Sequence, residues 1–255
     1  MTRRAELVGW LLAALGIQAL ACGHSRPAEV SLVGGPTGAV APRARCPSDY
    51  KFVPEATVEL GYGLSPYAGY KTSATEHLSA FCIMENEVSV TDYTSCVSAG
   101  VCSHSPDCNP FKPKVQGCLT FPDLQSYCGF VHGRPPTESE WEYAGRGGDG
   151  RRWPWSLDDA EACPERAQRR CDISPFGVRG MAYGVQEWTT TISELVPDAR
   201  SRPEVLLHPG GKWLIAKGYS DGSDVRESEH IAYRGIRYEH YTNGLMGGRC
   251  VVDPK

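Results

Sequence analysis

Ten cysteines spread from Cys46 to Cys250 constrain this chain more than any hydrophobic pattern in it: Cys46, Cys82, Cys96, Cys102, Cys108, Cys118, Cys128, Cys163, Cys171 and Cys250. An eleventh, Cys22, stands apart near the N-terminus. An even set in an exported chain reads as a disulfide framework. The rival is a zinc or other thiolate metal site, but no C-x-x-C pair is present, and the framework is preferred. With 28 Gly and 19 Pro, such a framework predicts a globular, loop-rich fold with many turns.

The premise of export comes from the first residues. Arg3 and Arg4 form a short basic region, and residues 7–21 form an apolar stretch ending at Cys22. Two readings stay open. Ala19-Leu20-Ala21 fits an A-x-A cleavage site, and the same residues followed by Cys22-Gly23 resemble a bacterial lipobox, with Cys22 lipidated. The lipoprotein reading is preferred, although Ala19 stands where a lipobox usually has Leu. Residues 1–21 are then a signal peptide. Residues 22–45, rich in Gly, Pro, Ala and Ser, are a flexible tether. The expected membrane link is a lipid anchor alone, in a bacterial envelope. A net charge of −4 provides no basic field for nucleic acid.

From Cys46 onward the signals are short. FVPEATVEL and FCIMENEVSV alternate in places and read as strands. Thr91 is the expected N-cap of a short helix, DYTSCVSA, ending at Gly100. Residues 102–117 predict a stapled loop. In PDLQSYCGFVHG, Pro122 suits a first helical turn, and Leu124, Tyr127, Cys128 and Val131 share one face, with Gly133 as the stop. In RPPTESEWEYAGRGG, Thr137 and Glu140 form a T-x-x-E capping box. Trp141 and Ala144 point inward, and Gly147 and Gly148 end the helix. WLIAKGY and IAYRGIRY are expected strands. No repeat is visible, and residues 46–255 read as one irregular α+β domain.

These segments resemble a known family. CGFVHGRPPTESEWEYAGRGG is similar to the Y-C-x-W-x-G-x-R-L-P-T-E-A-E-W-E-x-A-x-R-G pattern of formylglycine-generating enzymes, or sulfatase-modifying factors. ENEVSVTDYTSCVSAGVC, GMAYGVQEW and GGRCV resemble further motifs of that family, in family order. The resemblance implies a C-type-lectin-like core, low in regular secondary structure. It also implies a Cys128–Cys250 disulfide. Closeness in sequence suggests Cys102–Cys108, Cys96–Cys118, Cys163–Cys171 and Cys46–Cys82 for the rest, although sequence does not fix connectivity. Glu138, Glu140 and Glu142 are read as parts of a packed, capped helix rather than an acid–base pair.

The family's copper(I) chemistry needs two cysteines shortly before the terminal cysteine. Here AKGYSDGSDVRESEHIAYRGIRYEHY stands in their place, and no cysteine lies between Cys171 and Cys250. Copper(I) prefers thiolates, so it is not expected, nor is its oxidase reaction. Calcium is an open expectation: Glu187 matches a family ligand, with carbonyls of Tyr183 and Val185, while Gly180 and Gly184 replace family side chains. The iron site of the sulfoxide-forming branch needs an N-terminal helical domain, where this chain has the tether.

Two E-H dipeptides, Glu229-His230 and Glu239-His240, are the candidates for a replacement metal centre and for catalysis. Tyr219, Tyr233, Arg234, Arg237, Tyr238 and Tyr241 border the family's substrate groove and are expected to line a binding groove for a peptide, protein or small molecule. Three classes are therefore carried forward: a binding or scaffold module at the envelope, an oxidoreductase with a different metal site, and a purely structural lipoprotein.

Overall fold

Among the described residues, each of the three named helices starts at a side-chain cap that the sequence supplies. The computed structural model describes residues 45–61, 73–103, 108–109, 114–155, 171–195, 210–218 and 230–255, all within the compact unit Pro42–Lys255. The signal peptide, Cys22 and the tether up to residue 44 lie outside the described residues.

Helix α1 spans Val90–Ser98 and is capped by Ser89, not by Thr91. The Ser89 hydroxyl oxygen accepts from the Asp92 N–H at 3.0 Å and donates to the Asp92 carboxylate, so the helix is capped two residues earlier than expected. Helix α2, Phe121–Phe130, has a full capping box between Thr120 and Asp123, with Pro122 in its first turn. It ends before Gly133, and the left-handed residue that turns the chain is His132, at φ +61°. Helix α3, Glu138–Arg146, is capped by Thr137 and Glu140 as the T-x-x-E spacing predicts. Gly147, at φ +71°, ends it in a conformation that favours glycine.

The strands are short. β1 (Tyr50–Val53), β4 (Phe81–Met84) and β9 (Val251–Val252) form one antiparallel sheet, and β2 (Ala56–Leu60) pairs with β3 (Ala74–Leu78). β5 (Gln186–Ile192), β6 (Trp213–Lys217), β7 (Gly235–Tyr238) and β8 (Met246–Gly247) form a sheet in the order β7-β6-β5-β8. The fold is mixed α+β with little regular structure, as expected.

Strand geometry explains how β5 serves two cores. Successive side chains on a strand point to opposite faces. Trp188 enters a cluster with Leu124, Met246 and the Cys128–Cys250 bridge, and its indole N–H donates to the Leu119 carbonyl at 2.8 Å. Glu187, one residue earlier, meets the indole N–H of Trp141 at 3.0 Å. Trp141 belongs to the second cluster, with Leu60, Ile83 and Val251. Both tryptophans are fully buried, and burying an aromatic side chain of this size contributes about 3 kcal/mol.

Disulfides join these layers. Cys46–Cys82 and Cys128–Cys250 form as expected. The expected Cys96–Cys118 and Cys102–Cys108 pairs do not: the bridges are Cys96–Cys102 and Cys108–Cys118. The reason is the end of α1. The chain reverses through Gly100, the Cys102 N–H donates to the Cys96 carbonyl, and the two Cα atoms come within 5.3 Å. Cys171 is also disulfide-bonded, while Cys163, its expected partner, lies outside the described residues.

Candidate functional site

Glu187 leaves the β5 face into a buried charge centre. Its carboxylate takes two hydrogen bonds from Arg249, Nη2 to Oε1 and Nε to Oε2, each at 2.7 Å, and a third from Trp141. Arg249 is itself fully buried and donates to the carbonyls of Met84, Glu85 and Arg179. Glu187, for which the sequence left a calcium role open, is thus paired with a guanidinium. Nearby Asp172 accepts the backbone N–H groups of Met181, Ala182 and Tyr183, which shapes residues 181–183 into a tight loop. Burial pushes its carboxyl up to about 6, against the pull of those N–H groups and of Arg249.

The same loop forms one wall of a cavity of about 470 Å³, lined also by the start of α1. Glu87 lies on its floor. The Glu87 carboxylate rests against two glycines: a Cβ on Gly184 would come within 1.9 Å of Oε1, and one on Gly180 within 2.7 Å of Oε2. Burial pushes Glu87 up to about 7, Arg249 opposes this, and the charges of Glu187 and Asp172 add to it. Lys114, Arg179, Asp49 and Asp92 stand around the cavity, with Tyr183 beside them. The Tyr183 ring stacks flat on Trp155 at 5.6 Å.

The α3 carboxylates are structural. Glu140 is held by its own cap and by Arg134, at 2.5 and 2.7 Å. Glu142 is fully buried with Arg146 at 2.8 Å and Lys217 at 3.3 Å, and it accepts the Gly61 N–H. Burial raises its carboxyl, but Lys217, the Gly61 N–H and Arg146 outweigh that and hold it below the usual range. Glu138 takes Arg234 at 2.8 Å and Lys217 at 3.5 Å. Lys217, at the end of β6, is fully buried and lies over the Trp141 ring.

Residues 230–241 are drawn together only in part. Arg237 lies over the Tyr241 ring at 5.5 Å, and Tyr238 packs between Trp213 and His240. Arg234 turns inward to Glu138. The Tyr233 N–H closes a turn on the His230 carbonyl. His230 is buried beside Trp153, and its Nδ1 accepts the Ala232 N–H at 3.1 Å. Burial, with the Arg146 and Arg152 charges, pushes this imidazole down to about 4. His240 is exposed, and Glu239 accepts the Lys212 N–H. Among the described residues no three His, Cys, Asp or Glu side chains are placed to hold a metal ion. Tyr219 and Glu229 lie outside the described residues.

Thiolate chemistry has no support in this arrangement. Every described cysteine is in a disulfide, and the sequence from residue 172 to 249 holds none. The residues present do not fit copper(I). What sequence reasoning missed is the cavity with Glu87, Lys114 and Arg179. The one signal for it was the pair of glycines, Gly180 and Gly184, where the family pattern carries side chains.

The chain matches the model of the sulfatase-modifying factor enzyme 1-like domain over residues 25–254. It is similar to the formylglycine-generating enzyme of Mycobacterium tuberculosis, 30% identical over 176 residues, a match spanning 56% of this chain and 58% of that enzyme. Among solved structures it resembles CarF (TM-score 0.58, 17% identity, 82% of this chain and 99% of that one). It also resembles PvdO from Pseudomonas aeruginosa (TM-score 0.58, 15% identity, 78% and 92%). A third neighbour is Treponema denticola variable protein 1 (TM-score 0.57, 15% identity, 80% and 95%). At these identities the structures establish the fold. The match over residues 25–254, with the T-x-x-E helix and the Cys128–Cys250 bridge in place, means that the chain belongs to the sulfatase-modifying factor enzyme 1-like family.

Proposed function

We propose that this protein is an exported, lipid-anchored member of the family that has lost copper-dependent formylglycine synthesis and serves as a binding or scaffold module at the cell envelope. One observation carries the reading: a family framework with no free thiol among its described cysteines and no cysteine from residue 172 to 249. Copper(I) prefers soft thiolate ligands, and the stretch before Cys250 supplies no cysteine. The disulfide framework supports an oxidising compartment. Among the described residues no helix is long and apolar enough to cross a membrane.

The half-buried part of the 230–241 segment, with Arg237, Tyr238 and Tyr241, supplies residues favoured in binding surfaces. An oxidoreductase built on His230 has less support, because that imidazole is buried and hydrogen-bonded within its own turn. The decisive experiment incubates the purified protein with copper(I), oxygen and a sulfatase-type cysteine peptide and follows the peptide mass. No conversion is expected. Formylglycine in the product would falsify the reading. Elemental analysis of protein prepared without chelators tests the oxidoreductase alternative, which requires a stoichiometric transition metal that is lost on His230→Ala.

A further inference from the structure

The cavity beside Glu87 contains charges of both signs that the fold does not pair. Three carboxylates, Glu87, Asp172 and Glu187, share the field of one buried guanidinium, Arg249. Asp172 is satisfied by three backbone N–H groups, and Glu187 by Arg249 and Trp141. Glu87 has no such partner: among the described residues its one hydrogen-bond donor is its own backbone N–H. Its carboxylate faces the cavity over Gly180 and Gly184, where any side chain would displace it.

Lys114 also lines the cavity. It is exposed and makes no ion pair among the described residues, although its backbone is fixed by the Val90 N–H at 3.2 Å. The other basic group, Arg179, is already paired with Glu85 at 2.9 Å. Asp92, on the first turn of α1, is engaged by the Ser89 hydroxyl. The open charges are therefore an inner carboxylate, an outer ammonium and the exposed Asp49. Between them lie apolar walls from Met84 and Val115 and the stacked ring of Tyr183. A purely cationic or purely anionic ligand answers one wall and desolvates the other without a partner, which is costly. A volume of about 470 Å³ suits a small molecule rather than a length of chain.

We propose that this cavity binds a free α-amino acid, its ammonium on the Glu87 carboxylate and its carboxylate on Lys114, with the side chain against Met84, Val115 and Tyr183. This uses residues separate from those that carry the loss of oxidase chemistry, so either inference can fail alone.

The experiment is calorimetric titration of the purified full chain with each proteinogenic amino acid up to about 10 mM. The best binder is then repeated as its N-acetyl and methyl-ester forms. Binding is expected for a subset of side chains, weakened at least about tenfold by either blocking group and to the same extent by Lys114→Ala, a surface change that leaves the core intact. Glu87→Gln and Gly184→Ala are expected to weaken it likewise, and Glu55→Ala, at an exposed residue outside the cavity, to leave it unchanged. No binding across the panel overturns the proposal, as does binding that survives N-acetylation, esterification or Lys114→Ala.

Discussion

Arg249 and Glu187, both fully buried, meet in a two-pronged ion pair with both N–O distances at 2.7 Å. The pair ties the last strand region to β5 and fixes Trp141 through the second Glu187 oxygen. Removing one member leaves the other charged and unsolvated. Arg249→Met is expected to cost about 3–5 kcal/mol, because Glu187 then has no cation. The double change Glu187→Gln with Arg249→Met should cost clearly less than the sum of the two single changes. Urea unfolding of the four proteins reads this. Additive single costs would mean that the two groups are not coupled.

The disulfides should differ in what they contribute. Cys128–Cys250 closes a separation of 122 residues and Cys96–Cys102 one of 6. On the chain-entropy model, serine replacement of the first pair should cost about 5 kcal/mol and of the second about 2. Peptide mapping without reduction should recover Cys96–Cys102 and Cys108–Cys118 as separate linked peptides. Recovery of Cys96 joined to Cys118 would contradict the fold at the end of α1.

Stability should fall as pH rises from about 5 toward 8. Glu87 and Asp172 have folded-state pKa values raised to about 7 and about 6. The folded protein therefore binds more protons than the unfolded chain in that window, and the stabilisation by those protons disappears as pH passes through the raised values. His230, its imidazole pushed down to about 4, opposes this trend in part, because its neutral folded form adds stability that is lost as pH falls. Glu140 and Glu142 act in that same opposite sense. Their carboxyls are held low, so their contribution is present at neutral pH and lost in acid, as pH falls through their folded values. The melting temperature is expected to peak in mildly acidic buffer. Glu87→Gln should flatten the decline on the alkaline side, and an unchanged slope would count against a protonated Glu87.

The sequence was most legible where local rules act alone. The T-x-x-E spacing predicted the α3 cap because one turn of helix contains all its partners. Trp141 and Ala144 followed from the same periodicity. The α1 cap was misplaced because Ser89 and Thr91 are both good caps, and the choice between them lies with Asp92. The Glu187 partner was illegible: Arg249 is distant in sequence, and only the packed β5 and terminal segment bring them together. Lys217 carried no signal of its own. WLIAKGY reads as a strand and forms one, but only the packing shows that Lys217 is fully buried between Glu138 and Glu142, because α3 presents two carboxylates to β6.

That last arrangement gives a test of whether the α3 carboxylates hold the fold or do chemistry. Thr137 caps the helix through one hydroxyl, accepting the Glu140 N–H at 3.1 Å at a part-buried site. Thr137→Ala should therefore cost about 1 kcal/mol, the usual value of an N-cap. Glu142 is a different case, since its charge is shared by Arg146, Lys217 and the Gly61 N–H with no access to water. Glu142→Gln leaves Lys217 with Glu138 alone, at 3.5 Å, and should cost about 3 kcal/mol or more. Lys217→Met added to Glu142→Gln should recover part of that loss, because the second change removes the charge left without its nearer partner. Chemical denaturation of the two single variants and the double variant measures all of this. A Glu142→Gln variant as stable as the parent would show that this carboxylate is not part of the structural framework, and would reopen α3 as a place for acid–base chemistry.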